Sequence, residues 1–230
     1  MIEAIQSSTP GIRLFRARHA LALDPGGALP TRLRVWEGAS LELPEGETHY
    51  AFALRGPAEL VGWAGRFILA EGMYAAVPGS ASLGGAGTGI VVSRVGHAGV
   101  FCLGGPIEQK GRLRYIDGCT DSLLLPPTRL GDPCLNHLHI PPHTRQTRHT
   151  HPSVRVGIIA RGSGRCVTPD GEHPLAPGAL FVIAPDALHC FHTDDSALDV
   201  VVYHPDSDTG PTDEDHPMLN RTIIGKGAPS

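Results

Sequence analysis

Apolar positions along this chain fall in short runs: GIVVSRV at 89–95, VRVGIIA at 154–160, ALFVIA at 179–184 and LDVVVYH at 198–204. Each run is six or seven residues long and is closed by Gly, by Pro or, at 161–162, by Arg-Gly. That is the length and punctuation of a β-strand rather than of a helix. No stretch keeps a 3.6-residue apolar period over three turns. The 29 glycines and 21 prolines are spread throughout, so a long helix would be broken at every such point. The pattern predicts an all-β fold, a sandwich or barrel built from many short strands.

The pattern also repeats. At an offset of 106, about forty residues align without a gap: Arg55-Gly56 falls on Arg161-Gly162, Val61 on Val167, Gly65 on Gly171, and Leu69-Ala70 with Gly72 on Leu175-Ala176 with Gly178. Tyr74 and Val77 fall on the apolar Leu180 and Ile183. Two similar β modules are expected, 1–115 and 116–230, joined through GGPIEQKGRLRYIDG. The copies differ in chemistry. His149 falls on Leu43, His151 on Glu45 and His189 on Leu83, and ten of the thirteen histidines lie from His137 onward. Metal chemistry is therefore assigned to the second module, and the first is expected to pack or dimerise.

Composition narrows the partners. The net charge is −4, the pI is near 6.3 and the only lysines are Lys110 and Lys226. Nothing here makes a basic footprint for nucleic acid or an anionic membrane, and a small molecule is the expected partner. Five cysteines, Cys102, Cys119, Cys134, Cys166 and Cys190, form no CxxC pattern and read as reduced thiols. The first residues lack an apolar signal core and no segment approaches 18 apolar residues, so a cytoplasmic protein is expected.

The chemistry concentrates in TRHTHPSVRVGIIARG, 147–162. In a strand, residues i and i+2 share a face, so His149 and His151 can approach one ion while Thr150 points away. A third ligand is available in LAPGALFVIAPDALHCFHT, where a strand from Ala179 to Ile183 and a turn at Pro185-Asp186 lead to His189. Three neutral imidazoles suit Zn, Fe, Cu or Ni and leave coordination positions open, as a catalytic metal requires.

HTHPSVRVGIIARG resembles the first motif of the cupin superfamily (His-x-His, three or four residues, Glu, six residues, Gly), and PGALFVIAPDALHCFHT resembles the second. The resemblance covers both motifs of the second module and, through the repeat, the strand and turn frame of the first. It implies a bicupin of two jelly-roll barrels in tandem, with a degenerate N-terminal site and a metal bound by His149, His151 and His189. The chain departs from the motifs at three places. The Glu position holds Arg155, which cannot ligate a cation. The Pro and Gly of the second motif are replaced by Ala184 and Asp186, and the Gly that opens the first by His143. Three-histidine sites in the superfamily are typical of dioxygenases that use ferrous iron.

The leading expectation is thus a metal-dependent cupin, a non-haem iron dioxygenase acting on a small organic acid, diketone or ring substrate. Fe(II) is the expected metal, with Zn, Ni, Mn or Cu as alternatives. Arg155 would anchor a substrate carboxylate; it could instead pair with an internal acid such as Asp186 or be turned outward by a bulge. His137 and His139, alternating in the strand 135–140, are candidates for proton handling or pocket lining. His192, Cys166 and Cys190 read as structural, and Arg145 and Arg148 as residues of the barrel mouth. A redox-neutral isomerase or lyase and a non-catalytic small-molecule-binding cupin are the alternatives. A homodimer is the expected assembly, with MLNRTII in the tail as a packing arm.

Overall fold

The computed structural model describes residues 8–9, 11–17 and 22–207. The expected packing arm, 218–224, lies outside these residues. The fold is all-β and antiparallel, with a single 3-10 turn, Ile116–Gly118, among the described residues. None of the described helices is long and apolar enough to cross a membrane.

The strands form two pairs of sheets. In the first half, a six-stranded sheet runs in the order Cys102–Gly104, Tyr74–Pro78, Glu47–Arg55, Thr88–Val95, Thr31–Glu37, Ala22–Leu23. A four-stranded sheet, Leu41–Leu43, Ala81–Gly84, Ala58–Gly62, Gly65–Leu69, covers it. In the second half, an eight-stranded sheet runs Ser8–Thr9, Ile12–Arg16, Ala179–Ile183, Arg155–Gly162, Leu198–His204, Cys134–Ile140, Thr120–Leu125, Leu113–Arg114. Its partner has three strands, Gly171–Leu175, Gly164–Thr168 and Cys190–His192. At the offset of 106, Ala58–Gly62 and Gly65–Leu69 fall residue for residue on Gly164–Thr168 and Gly171–Leu175, whereas Leu41–Leu43 falls on 147–149, which form no strand. The N-terminal segment crosses between the halves, because Ile12–Arg16 pairs with Ala179–Ile183 in the second module's sheet.

Three apolar cores separate the layers. One joins the two large sheets, with Val35, Tyr50, Phe52 and Val92 from the first half meeting Val156, Ile158, Leu180 and Tyr203 from the second. Tyr50 and Tyr203 meet there with ring centroids 5.2 Å apart. A second core, including Trp36, Leu43, Leu60, Leu69 and Leu83, fills the first module. The third lies inside the second module, where Leu138, Ile159, Phe181, Phe191 and Val200 line one side of the eight-stranded sheet. That sheet is therefore buried on both faces over much of its area, which explains its near-continuous apolar runs. One face holds the halves together, and the other is free to build a site.

The Gly that closes the first histidine motif has a steric reason. Gly162 adopts φ +75°, and a Cβ there would run into the carbonyl oxygen of Ala197. At the repeat-equivalent Gly56, a Cβ would press on the backbone of Ala70 and Glu71. Gly162→Ala combines left-handed strain with overpacking, so it is expected to cost about 2–4 kcal/mol of stability, read from the urea midpoint at unchanged m-value.

Candidate metal centre

His149, His151 and His189 come together as the sequence pattern requires. The possible ligand atoms of the three rings lie within 4.8 Å of one another, and ring centroids are 4.7 to 5.2 Å apart. The convergence is fixed by backbone. His149 N–H donates to the His189 carbonyl at 2.9 Å and His189 N–H to the His149 carbonyl at 3.0 Å, an isolated antiparallel bridge. Asp186 N–H donates to the His151 carbonyl at 2.8 Å and ties the turn before His189 to the other ligand segment. Asp186 has φ 57° and His143 has φ 59°. Both positions where the motif resemblance expects Gly thus keep the left-handed conformation while carrying side chains, which Asp and His tolerate better than most residues.

The rings are held in one tautomer. His149 Nδ1–H donates to the Thr147 carbonyl and His189 Nδ1–H to the Ala187 carbonyl, each at 2.8 Å. This leaves Nε2 of both rings as an acceptor, the arrangement by which outer hydrogen bonds orient metal-binding imidazoles. Burial lowers the pKa of His151 to about 3 and that of His189 to about 4, with the Arg155 guanidinium and the neighbouring rings adding to the effect. Neutral, convergent nitrogen donors are what a divalent transition metal needs, so the residues present fit such an ion.

The cluster opens on a cavity of about 520 Å³, within the range of small-molecule sites. Leu138, Phe181, Ile183, Phe191 and Val202 make most of its exposed wall apolar, and polar and charged side chains are set among them. Arg155 is one of them. It is 7% exposed, so no bulge turns it outward, and its Nη1 donates to Ser153 Oγ at 2.6 Å and to the carbonyls of Ser153 and Val154. Ser153 in turn donates to Asp206. His204, whose ring centroid lies 6.4 Å from that of His151, is held neutral by burial, with Arg155 and His151 adding to it. His204, Asp121, Asn136, Arg114 and Tyr115 also line the cavity and were not singled out from sequence. His204 had a signal: it continues the inward period of Val200 and Val202. Arg114 and Tyr115 belong to the expected connection, which here forms part of the cavity wall.

His137 and His139 lie elsewhere. In the Cys134–Ile140 strand it is Cys134, Asn136 and Leu138 that face the cavity, so the two histidines point to the opposite face of the sheet. There His137 Nε2 and His139 Nδ1 each approach Asp199 Oδ1 at 2.8 Å, and Arg161 Nε donates to Asp199 Oδ2 at 2.9 Å. Burial raises the Asp199 pKa, but these partners outweigh it and hold the carboxyl below its usual range. Arg145 is paired with Asp194 at 2.8 Å. Cys166 and Cys190 are buried, and the Cys190 Sγ lies 3.4 Å from His192 Nε2.

The equivalent positions of the first module carry no histidine. Leu43 and Leu83 are packed in its core, and Glu45 accepts the Ser80 N–H at 2.9 Å.

The three-dimensional arrangement has many counterparts. The chain is similar to protein Ylba from E. coli at 16% identity and a TM-score of 0.60, over 91% of this chain and 96% of that one. It is similar to a Cupin 2 conserved barrel domain protein from Leptotrichia buccalis at 10% identity and a TM-score of 0.55, over 86% and 91%. The chain has the cupin fold. A further neighbour with this arrangement is salicylate 1,2-dioxygenase from Pseudaminobacter salicylatoxidans, at 12% identity and a TM-score of 0.59, over 79% and 71%; that enzyme is also known in structures with gentisate. A family model described as AraC-like ligand binding domain matches residues 130–207, the part of the cupin fold that carries His149, His151 and His189. No curated protein is significantly similar in sequence.

The neutral, buried imidazoles carry a pH signature. His151 and His189 take up protons near pH 6.5 when unfolded but only near 3 and 4 when folded. Their lowered values mean that stability is full above about pH 6.5 and declines as pH falls towards 4, by up to about 1.4 kcal/mol per pH unit for each group. Urea unfolding of the metal-stripped protein should give a clearly lower stability at pH 5 than at pH 7, and excess divalent metal should restore part of the loss. A flat profile would contradict the burial of neutral rings.

Proposed function

We propose that this chain is a metal-dependent cupin enzyme, a non-haem Fe(II) dioxygenase acting on a small carboxylate-bearing substrate. The observation that carries the reading is the convergence of three imidazoles, two of them fixed in tautomer by backbone carbonyls, at the wall of a cavity that also holds Arg155. The likeness of fold to salicylate 1,2-dioxygenase supports it.

A bound ferrous ion would supply Lewis acidity and oxygen activation at His149, His151 and His189. The protein's part is placement. Arg155, braced by Ser153, offers its guanidinium to a substrate carboxylate, for which a planar fork is the best-matched partner. Phe181, Phe191 and Leu138 exclude water from the rest of the substrate. In this reading His137 and His139 hold Asp199 and do not touch substrate. The family model's description as a ligand-binding domain favours one second reading, a non-catalytic cupin that binds a small molecule.

Protein purified without a polyhistidine tag and reconstituted anaerobically with ferrous iron should retain close to one iron per chain, and His149→Ala less than about 0.2. An oxygen electrode and a panel of hydroxybenzoates, diketones and small thiols should then reveal uptake with at least one member. Arg155→Gln should keep the iron and raise KM for a carboxylate substrate roughly 10- to 100-fold, the scale of a charged hydrogen bond. Ligand binding without oxygen uptake across the panel would favour the non-catalytic reading.

A further inference from the structure

One wall of the cavity is built to accept hydrogen bonds, and the protein does not supply the donors. Asp121, on the Thr120–Leu125 strand, and Asn136, on the Cys134–Ile140 strand, both line the cavity. Asn136 Nδ2 donates to Asp121 Oδ2 at 3.4 Å. The other oxygen of each side chain, Asp121 Oδ1 and Asn136 Oδ1, is buried and has no hydrogen-bond partner among the described residues. A buried acceptor left unmade forfeits its hydration without return, the more so when charged, so two adjacent ones are unusual in a settled core. Burial raises the Asp121 pKa to about 6, and the Asn136 hydrogen bond and the charge of His137 only partly oppose that. This is the behaviour of a carboxyl without a dedicated cation.

The placement relative to the rest of the site is informative. In the sheet order, Asn136 lies two strands and Asp121 three strands across from Arg155, on the same concave face. The cavity thus has a cationic, imidazole-rich region that suits an anion and a separate region of acceptor oxygens that suits O–H or N–H groups. Apolar side chains, Leu138 and Val202, lie between.

We infer that the ligand of this cavity is a small organic acid bearing a second polar group with hydrogen-bond donors, a hydroxyl or an amine, which Asp121 Oδ1 and Asn136 Oδ1 receive. The inference rests on the proposed function in taking the Arg155 end as the seat of the carboxylate, and it adds the chemistry of the opposite end. Asp121 and Asn136 are recognition residues. A substrate without the donor leaves both oxygens unsatisfied, and it is by such penalties that polar sites reject analogues.

Isothermal titration of the metal-reconstituted full chain under anaerobic conditions tests this with benzoate and its 2-, 3- and 4-hydroxy and 2-, 3- and 4-amino derivatives as probes. At least one donor-bearing isomer is expected to bind tenfold or more tightly than benzoate, and whether hydroxyl or amino isomers lead identifies the donor. In an Asp121→Leu/Asn136→Leu double variant the preference should fall below about twofold, with the donor-bearing isomers losing affinity and benzoate, relieved of the two unsatisfied oxygens, binding at least as tightly as to the parent. Urea unfolding supplies the check on folding. Because the double substitution removes both unsatisfied oxygens together with the hydrogen bond that joins the two side chains, this variant should be as stable as the parent or more stable, whereas residues with a structural role would lose stability. No binding by any member of the set, equal affinity for all seven, or a preference that survives both substitutions would overturn the inference. The readout is binding rather than oxygen uptake, so a catalytically silent protein that shows the donor preference would refute the dioxygenase reading alone.

Discussion

The site depends on one pair of backbone hydrogen bonds, those exchanged between His149 and His189. Forty residues of chain separate the two, and a single antiparallel bridge brings them to facing positions, where side chains stand close and point to one side of the ladder. His151 lies two residues on, in the segment that leads into the Arg155–Gly162 strand and not in a strand itself, and its ring meets the other two there. The Asp186 N–H to the His151 carbonyl closes the arrangement from the other direction. Side-chain placement is therefore inherited from main-chain geometry, and the carbonyls of Thr147 and Ala187 then settle which ring nitrogen faces inward. Three donors held this way give up little conformational freedom when an ion arrives.

The second constraint is the double burial of the eight-stranded sheet. One of its faces carries the cavity and the other carries the core shared with the first half. The first module reads as degenerate only if metal binding is the criterion. Leu43 and Leu83 fill its interior where ligands would stand, and its six-stranded sheet supplies one wall of the shared core. The Arg161, Asp199, His137 and His139 network belongs to this second face, where a carboxylate is matched by three donors instead of being left to the cavity.

Much of this was legible in the sequence. The strand pattern, the repeat, and the meeting of His149, His151 and His189 follow from period two and from motif spacing. The face of His137 and His139 was not, because alternation says which residues share a side and not which side is inward. When both faces are buried, polarity no longer marks solvent. Asn136 and Leu138 take the cavity although the neighbouring imidazoles look more like site residues. His204 was reachable from Val200 and Val202, and it was passed over because it stands at the end of an apolar run. Asp121 and Tyr115 had no local signal, since their position follows from pairing across the sheet and from the path of the connection.

Arg155 is the residue in which these constraints meet. In the cupin first motif its position belongs to an acidic ligand, and a guanidinium there reverses the sign of the charge beside the metal-binding rings. It pushes the His151 and His189 pKa values down in the same direction as burial does, so it favours the neutral imidazoles that a metal requires. It also raises the cost of placing a dication nearby, because like charges in a low-dielectric pocket repel. Ser153, itself bound to Asp206, accepts a hydrogen bond from that guanidinium. An anion bound between the ion and Arg155 resolves the repulsion from both sides at once. The charge arrangement thus couples metal and acid binding, each being expected to tighten the other.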